Sequence, residues 1–481
     1  MKKICTLLLT FISIVTVWAQ DNVSKEEIDA RWFNAHYKKT ECMIPMRDGA
    51  KLYTAIYTPK NKKALHPILL NRTGNGCEPY GKKSADIWQK TVFAEYLQAE
   101  YIIVFQDVRG SGKSIGSNSG NNQHDAYDCA EYLLRKMKKH NGSIGVWGIG
   151  EDSAYALDAA MCGHPAIKAV SVQAPTVENW SGKIAIPSLF VGGWFDVVSK
   201  NNLWDCYRAI GETSPLAYCH LAVGPWAHGA WRDSVTATTF DETSSVEFYS
   251  QEIEFPFFDH HLRGAESSGA TANGCFIYFS GEDCWRELDG WQQGDKTLSL
   301  YLNEDGILCE DQSRSNGAYS CYTSDPKNPV SVAENGAEDV TVEKIFADHS
   351  FTDDRADVLT FVSPVLDHDV TMSGSIEVEL YAMASQPTAD FVVKVIDVAN
   401  NDDAEMLVRS EWVVNVSMED GKAQRIVLKM TDMAHTFMEG HQIKVQIHST
   451  WHPIVKSDGK EPYDITILHD AEHLSKIVLP L

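Results

Sequence analysis

The sequence predicts two successive folds, a doubly wound α/β unit in its first half and a β-sandwich in its second half. Three observations lead to this prediction. Unbroken apolar runs alternate with helical patterns in the first half, the pattern changes to two-residue alternation near Thr297, and 481 residues suffice for about two to three domains. With 44% hydrophobic and 22% charged residues, the composition is that of an ordinary globular protein.

The N-terminus has the order of a secretory signal peptide. Lys2 and Lys3 precede an apolar run that ends at Trp18, and the small residue Ala19 follows. We therefore expect cleavage close to Ala19 and a mature protein that is secreted or periplasmic. Removing residues 1–19 takes away two of the 42 basic residues and none of the 66 acidic ones, which leaves a net charge of −26. Such a charge disfavours nucleic acids and anionic membranes as partners.

The rest of the sequence predicts neither a membrane span nor a metal site. No later stretch reaches the ~18 apolar residues that a span needs. Ten cysteines remain after cleavage, none in a C-x-x-C pair, so no zinc or redox motif is present. The sequence leaves room for one or two disulfides, whereas Cys129 and Cys162, in helical patterns, are expected to be buried thiols. His260 and His261 would point to different faces of their helix, and we expect no metal or other cofactor.

The first half opens on an antiparallel hairpin, predicted between Glu41 and Pro59 around the turn signal Arg47-Asp48-Gly49. Apolar runs without alternation follow, as expected of parallel strands that are buried on both faces. These runs are Ile68 to Asn71, Tyr101 to Phe105, Ile144 to Trp147, Ala169 to Val172, Ser188 to Val191 and His220 to Val223. Helical patterns separate most of them, and the clearest, from Asp125 to Lys139, has one apolar stripe.

The second half reads as strands with one buried face. Two-residue alternation is clear from Ile376 to Leu380 and from Ile443 to Ile447, and turn signals separate such runs. We predict a sandwich of about 185 residues. The expected domains are residues 20–268 for the α/β unit, residues 269–296 for a linker with crossover strands, and residues 297–481 for the sandwich.

Three sites in the first half suggest a catalytic arrangement. The strand that ends at Ile149 runs through Gly150-Glu151-Asp152 into a helix, which is where an α/β-hydrolase holds its nucleophilic serine in a G-x-S-x-G elbow. Gly150 occupies the serine position. Asp196 and His228 each follow a predicted strand, and acid before histidine is the chain order of the triad in that class.

With these residues the chain resembles the cocaine esterase and X-Pro dipeptidyl-peptidase family of serine hydrolases, which includes glutaryl acylases and α-amino acid ester hydrolases. The resemblance covers nearly all of the mature chain. Its further marks are Met46-Arg47-Asp48-Gly49, Gln106 to Gly112, Trp285-Arg286, Asp357 to Phe361, Gly440 to Ile443 and Ser475 to Pro480. It implies an α/β-hydrolase domain, a C-terminal jelly-roll sandwich, and cleavage of small ester, amide or peptide substrates by a Ser-His-Asp triad.

The chain departs from the family at its nucleophile and oxyanion positions. The resemblance implies serine at Gly150, tyrosine at Glu151 and glycine at Ser153. The backbone N–H of Glu151 is one implied oxyanion donor. The family's oxyanion tyrosine falls on Asn75 without a gap, and Tyr80 is the second candidate. Asp196 follows Gly150 by only 46 residues, so we expect a short connection over residues 176–186 in place of the family's helical cap.

Two functions remain open at this level. The chain is either a degenerate hydrolase, in which His228 directs water at a small ester or amide, or a non-catalytic binding module for a small molecule, peptide or protein on the same scaffold. Asp196 and His228 would also suit a purely structural buried pair, and Gly150 would relieve a strained elbow. The sequence leaves the oligomeric state open.

Overall fold

The structure, a computed structural model, describes residues 28–81, 87, 91–117, 122–178, 180–196, 198–199, 202–213, 219–232, 242–266, 274–334, 336, 348–399, 405–455 and 461–481. The predicted signal peptide and residues 269–273 of the predicted linker lie outside these residues, and the rest of that linker is described, including the two strands expected within it, Cys275–Phe279 and Cys284–Leu288. In the part of the chain that the structure describes, no helix has the length and apolar character needed to cross a membrane.

The first half forms one ten-stranded sheet among the described residues, in the order β1-β2-β4-β3-β5-β6-β7-β8-β9-β10. Neighbours from β4 to β9 run parallel, and β1, β2 and β10 add antiparallel edges. The predicted hairpin and the predicted parallel sheet are thereby confirmed. The strands are β1 (Tyr37–Pro45), β2 (Lys51–Pro59), β3 (His66–Thr73), β4 (Ile102–Asp107), β5 (His140–Ile149), β6 (Ile167–Gln173), β7 (Ser188–Gly193), β8 (Cys219–Gly224), β9 (Cys275–Phe279) and β10 (Cys284–Leu288).

Helices cover both faces of this sheet because neighbouring residues on its buried strands point to opposite sides. Leu70 packs in the apolar cluster that includes residues of α3, α4 and α5, while Leu69 packs in the cluster that includes residues of α2 and α7. The helices are α1 (Ala30–His36), α2 (Ala94–Gln98), α3 (Asn122–Lys136), α4 (Ser153–Met161), α5 (Asn202–Thr213), α6 (Val246–Phe248) and α7 (Phe255–Arg263), with a π-helical turn at Tyr249–Glu254.

The helix predicted from Asp125 to Lys139 is shifted in the structure. It begins at Asn122 and ends at Lys136, and β5 already begins at His140. The apolar stripe was placed correctly, since Ala126, Ala130 and Leu133 are buried. Lys138 and Lys139 fit the predicted basic end of the helix but lie beyond it, because the chain turns there to enter β5.

The second half is a β-sandwich of antiparallel strands, as predicted. Within the described residues, one sheet has the order β12-β11-β23-β16-β22-β13 with β19 beside β16, a second has the order β14-β21-β17-β18, and β15 pairs with β20. The strands are β11 (Thr297–Leu302), β12 (Leu308–Cys309), β13 (Tyr319–Ser324), β14 (Leu359–Val362), β15 (Val370–Gly374), β16 (Glu377–Ala384), β17 (Thr388–Val398), β18 (Glu405–Ser417), β19 (Gln424–Lys429), β20 (Met433–Phe437), β21 (Gln442–His448), β22 (Tyr463–Leu468) and β23 (Lys476–Pro480).

The prediction of one solvated face is wrong for β21. Lys444 and Gln446, the polar members of its alternation, are both buried. Lys444 Nζ donates to Asp353 at 2.7 Å and to Glu405, and Gln446 donates to Asp353 at 2.9 Å. The outer face of this sheet is covered by other segments of the chain, so these two side chains bond to the carboxylates of Asp353 and Glu405.

All ten cysteines after the predicted cleavage site are free thiols. The one or two disulfides for which the sequence left room are therefore not formed. Cys129 is buried in the core, as expected, and Cys162 is half-buried. Burial raises the pKa of the Cys129 thiol to about 12, so this cysteine is a small apolar side chain at neutral pH.

Candidate active site

The turn after β5 has the geometry of a nucleophile elbow. β5 ends at Ile149, a single 3₁₀ turn covers Gly150–Asp152, and α4 begins at Ser153. A Cβ on Gly148 would lie 2.2 Å from the carbonyl oxygen of Asp152, so only glycine permits so tight a return. Gly150 has φ = +58°, in the left-handed region that favours glycine over any residue with a side chain.

Two neighbouring parallel strands bring Asp196 and His228 together. Asp196 lies just beyond β7 and His228 just beyond β8, whose last residues pair with each other. The predicted hydrogen bond is present, since His228 Nδ1 donates to the two Asp196 carboxylate oxygens at 3.0 and 3.1 Å. Asp196 also accepts from the amides of Val198 and Ser199 at 2.8 and 2.9 Å, and from the Ser199 hydroxyl at 2.5 Å. The carboxylate is thus held by donors on several sides.

These contacts set the charges of the pair. Burial alone would raise the pKa of Asp196, but the bonds from His228 and Ser199 outweigh burial and hold it below its ordinary 3.8. The hydrogen bond to Asp196 raises the pKa of His228 above its ordinary 6.5, against the opposite effect of burial. The result is an ionised acid beside an imidazole whose protonated form is stabilised.

Gly150 faces the free edge of this imidazole. A Cβ built on Gly150 would lie 3.4 Å from His228 Nε2, the nitrogen that does not bond to Asp196. The structure therefore brings together all three residues that the strand-end pattern selected. At the position where the resemblance implies a nucleophile, Gly150 presents only its backbone to His228.

The loop after β3 uses its hydrogen-bond donors within the fold. The N–H of Gly74 donates to Asp152 Oδ1 at 3.1 Å, and the N–H of Asn75 donates to Thr73 Oγ1 at 3.0 Å. The Asn75 residue is exposed. The Tyr80 hydroxyl, the second oxyanion candidate, donates to Asp107 Oδ2 at 3.0 Å. The N–H groups of Gly74 and Asn75 and the Tyr80 hydroxyl are therefore engaged by protein acceptors, whereas the donor predicted at position 75 is the side-chain amide of this exposed residue.

Glu151 lies next to Gly150 in the 3₁₀ turn and is exposed. Its neighbour Asp152 is buried, and burial raises the pKa of that carboxyl, opposed by the bonds from Gly74 and Thr73. The sequence reasoning missed Asp152 and Asp107, the two acceptors that occupy these donors. Asp107 stood inside a family motif, but nothing in the sequence connects it with Tyr80.

A cavity of about 320 Å³ lies beside this loop and is lined by residues of β2, β3, β4 and β5. Its wall contains the aromatic rings of Tyr57, Phe93, Phe105 and Trp147, and it is completed by Asn71, Thr73, Gly76, Cys77, Glu78, Pro79 and Ile87. A volume of this size suits a compact organic ligand. The sequence analysis did not predict the cavity, because its wall is assembled from four strands and a loop.

Trp147 lines the cavity and also contacts Arg232, which follows His228 by four residues. The Arg232 guanidinium lies 4.0 Å from the centre of the Trp147 ring, and Arg232 Nε donates to Gln173 Oε1 at 2.6 Å. Arg232 also pairs with the buried Glu254. These polar residues form a second network that the sequence analysis did not identify.

The expected short connection is present, since the described residues between 176 and 186 contain neither a helix nor a strand. Among the described residues, no group of three or more His, Cys, Asp or Glu is arranged to hold a metal ion. His260 Nδ1 bonds instead with the carbonyl of Ala265 at 2.7 Å.

Parallel strands that carry an elbow, an acid and a histidine to one sheet edge, in that chain order, place the first half of the chain among the α/β-hydrolases. Comparison with known families narrows this class. The profile of X-Pro dipeptidyl-peptidase (S15 family) matches residues 48–184 and 173–230, and that of the X-Pro dipeptidyl-peptidase C-terminal non-catalytic domain matches residues 250–473. The chain belongs to this family of hydrolases.

Relatives match along almost the whole chain. The cocaine esterase of Rhodococcus sp. (strain MB1 Bresler) is 24% identical over 91% of this chain and 97% of its own. An aminopeptidase from a marine sediment archaeon, Thaumarchaeota archaeon, superposes with a TM-score of 0.81 at 22% identity, over 92% of this chain and 96% of its own. An α-amino acid ester hydrolase has the same TM-score at 21% identity, over 99% and 100%. The structural matches show a shared two-domain fold.

Proposed function

We propose that this chain is an exported binding protein on a hydrolase scaffold, which takes a compact ester, amide or peptide ligand and forms no acyl-enzyme. One observation carries the proposal. The backbone of Gly150 stands where a side chain would meet His228 Nε2 at 3.4 Å, and glycine has no atom that can attack a carbonyl. Export is proposed from the order of charged, apolar and small residues at the N-terminus.

The state of the neighbouring donors supports the same proposal. An acyl-transfer site needs N–H or O–H groups directed at the developing oxyanion. In this chain the backbone N–H of Gly74 donates to Asp152, the backbone N–H of Asn75 donates to Thr73, and the Tyr80 hydroxyl donates to Asp107. Binding requires no such donors, and the aromatic cavity beside the loop offers apolar surface for a ligand.

Binding is tested by calorimetry with Ala-Pro-p-nitroanilide as the probe. Hydrolysis is tested with p-nitrophenyl butyrate, by the release of p-nitrophenol. We expect the anilide to bind without cleavage. Cys77→Phe, which fills the cavity, should weaken binding by about tenfold or more. Cys321→Phe places the same change at an exposed cysteine and serves as the control. Equal affinity in both variants, each folded by circular dichroism, would place the ligand elsewhere.

A second candidate function, slow hydrolysis by water, is favoured by the intact bond between Asp196 and His228. A water on the Nε2 side of His228 would give its proton to that nitrogen as it attacks a carbonyl. This candidate replaces the first if the native protein releases p-nitrophenol above a heat-treated control and His228→Ala abolishes the release. Mass spectrometry of the mature N-terminus tests export, since a chain that keeps residues 1–3 was not cleaved.

A further inference from the structure

The loop that carries Asp196 is fixed on one side by its own domain. The N–H of Trp194 donates to the carbonyl of Gly224 at 2.9 Å, and the N–H of Phe195 donates to that of Trp226 at 3.0 Å. Both acceptors precede His228 closely in the chain. The loops of the acid and of the histidine are therefore joined through their backbones.

The other side of the loop faces the sandwich, which supplies a charged side chain. Arg409 lies on β18, and its Nη1 donates to the carbonyl oxygen of Trp194, two residues before Asp196. Its Nε donates to the carbonyl of Thr431 at 3.2 Å. Trp194 is 1% exposed, so water cannot readily replace this donor.

Further contacts seat the sandwich against the same loop. The Trp194 ring packs on Trp204 and Trp291, with centroids 5.7 and 5.8 Å apart. Trp291 Nε1 donates to Asp432 Oδ2 at 2.6 Å, and Arg208 donates to the same oxygen at 2.5 Å. Asp432 follows Thr431, the residue whose carbonyl accepts from Arg409. The arginine is thus held in a fixed interface between the two domains.

Arg409 also acts on Asp196 through its charge. Burial lowers the pKa of Arg409 to about 10, against the opposing effects of Glu411, Asp432 and Asp196, so the guanidinium is charged at neutral pH. A nearby positive charge favours the ionised form of Asp196, the form that accepts from His228.

We infer that Arg409 is a positioning residue for the Asp196–His228 pair, supplied by the domain that its family describes as non-catalytic. Arg409 donates a hydrogen bond to the Trp194 carbonyl and so fixes the backbone of the loop whose Asp196 side chain bonds to the imidazole. Without it, the loop would have to turn this carbonyl toward another donor, and the carboxylate would move with it. The inference concerns the pair itself and does not depend on whether the site binds or cleaves a ligand.

The test is the pKa of His228, followed by NMR of its Cε1–H, with His228→Ala to assign the signal. Arg409→Met keeps the apolar stem and removes both donor and charge. If positioning is lost, the bond to Asp196 weakens and the pKa of His228 falls by about one unit, a tenfold change in protonation. If Arg409 acts by charge alone, removing a positive charge raises that pKa instead. The sign of the shift therefore separates the two roles.

Three further variants complete the experiment. Arg409→Gln is polar but too short to reach the Trp194 carbonyl, so the pKa of His228 should fall by the same amount in this variant. It replaces Arg409→Met in the experiment if the methionine variant does not fold. Arg409→Lys keeps a charge and a donor and should restore the native pKa. Arg425→Met breaks the exposed ion pair with Glu379 in the same domain and should leave His228 unchanged. A His228 pKa that stays constant or rises in the Met and Gln variants would overturn the inference.

Discussion

The two sides of the candidate site differ in the side chains that they present. On the side of β7 and β8, Asp196 bonds to His228, and three further hydrogen bonds from Val198 and Ser199 hold its carboxylate. On the side of β3 and β5, Gly150 has no side chain, and the three donors described above, on the loop after β3, bond to protein acceptors. The acid–base pair is independent of the nucleophile, because buried charge keeps its own partners whether or not a serine is present.

The largest effect is expected from restoring the missing side chain. Gly150→Ser places a hydroxyl near His228 Nε2, because a Cβ fits there at 3.4 Å. We expect labelling by a fluorophosphonate to rise from none to a measurable mass adduct, and stability to fall by about 1–3 kcal/mol because φ is +58°. Adducts are compared by mass spectrometry among native, Gly150→Ser and Gly150→Ser/His228→Ala proteins.

Each contrary outcome of that comparison has a distinct meaning. Labelling of the native protein at this site would reveal another nucleophile. Equal labelling of the single and double variants would show that His228 does not serve as a base, and the contrast between the two sides would then fail.

The side that carries Asp196 and His228 should be sensitive to a small change of the carboxylate. Asp196→Asn removes the charge and presents an amide NH₂ to donors that need an acceptor, so we expect a loss of about 2–3 kcal/mol in the free energy of unfolding. Urea denaturation measures this loss. Asp205→Asn, an exposed position on α5, is the matched control and should change stability by less than about 0.5 kcal/mol. Equal losses in the two variants would contradict a stabilising role of the buried Asp196–His228 pair.

The side of β3 and β5 can be tested through Asp152. In the Gly150→Ser background, Asp152→Ala frees the N–H of Gly74 from its 3.1 Å bond. If that bond withholds an oxyanion donor, phosphonate labelling should quicken by about threefold to tenfold, which corresponds to about 1 kcal/mol for one donor. Asp152→Asn keeps an acceptor oxygen and should label at the parent rate. A slower rate in the alanine variant would mean that Asp152 shapes the elbow.

The smallest effect is a pH dependence of stability. The pKa of His228 is raised in the folded protein, so its contribution is complete below the ordinary value of 6.5 and is lost as pH rises through the folded value. The pKa of Asp196 is lowered, so its contribution is present above 3.8 and is lost as pH falls through the folded value. The stability difference between native protein and His228→Ala should therefore shrink above pH 6.5. A difference that grows with pH would contradict the raised pKa.

The sequence predicted the parts of the site that depend on strand order. Parallel strands end at the same sheet edge, so residues just after β5, β7 and β8 could be expected to meet, and Gly150, Asp196 and His228 do. Strand order does not predict which side chains form hydrogen bonds with one another. Whether Tyr80 bonds to Asp107 or faces the elbow depends on the path of a loop, and the burial of Lys444 depends on a segment that packs on it from elsewhere in the chain.

The sandwich also differs from the first sheet in how far apart its pairing partners lie along the chain. Strand β23 lies between β11 and β16, so Thr297–Leu302, which opens the sandwich, pairs with Lys476–Pro480 only after everything between them has been synthesised. In the first sheet, β5, β6, β7 and β8 each pair with the next strand in sequence. Pairing two strands that are far apart in sequence costs chain entropy before the contacts between them stabilise the sheet. The sandwich should therefore form late in folding. The contact between Arg409 and the acid loop would then be completed among the last events, after the sheet that carries Asp196 has formed.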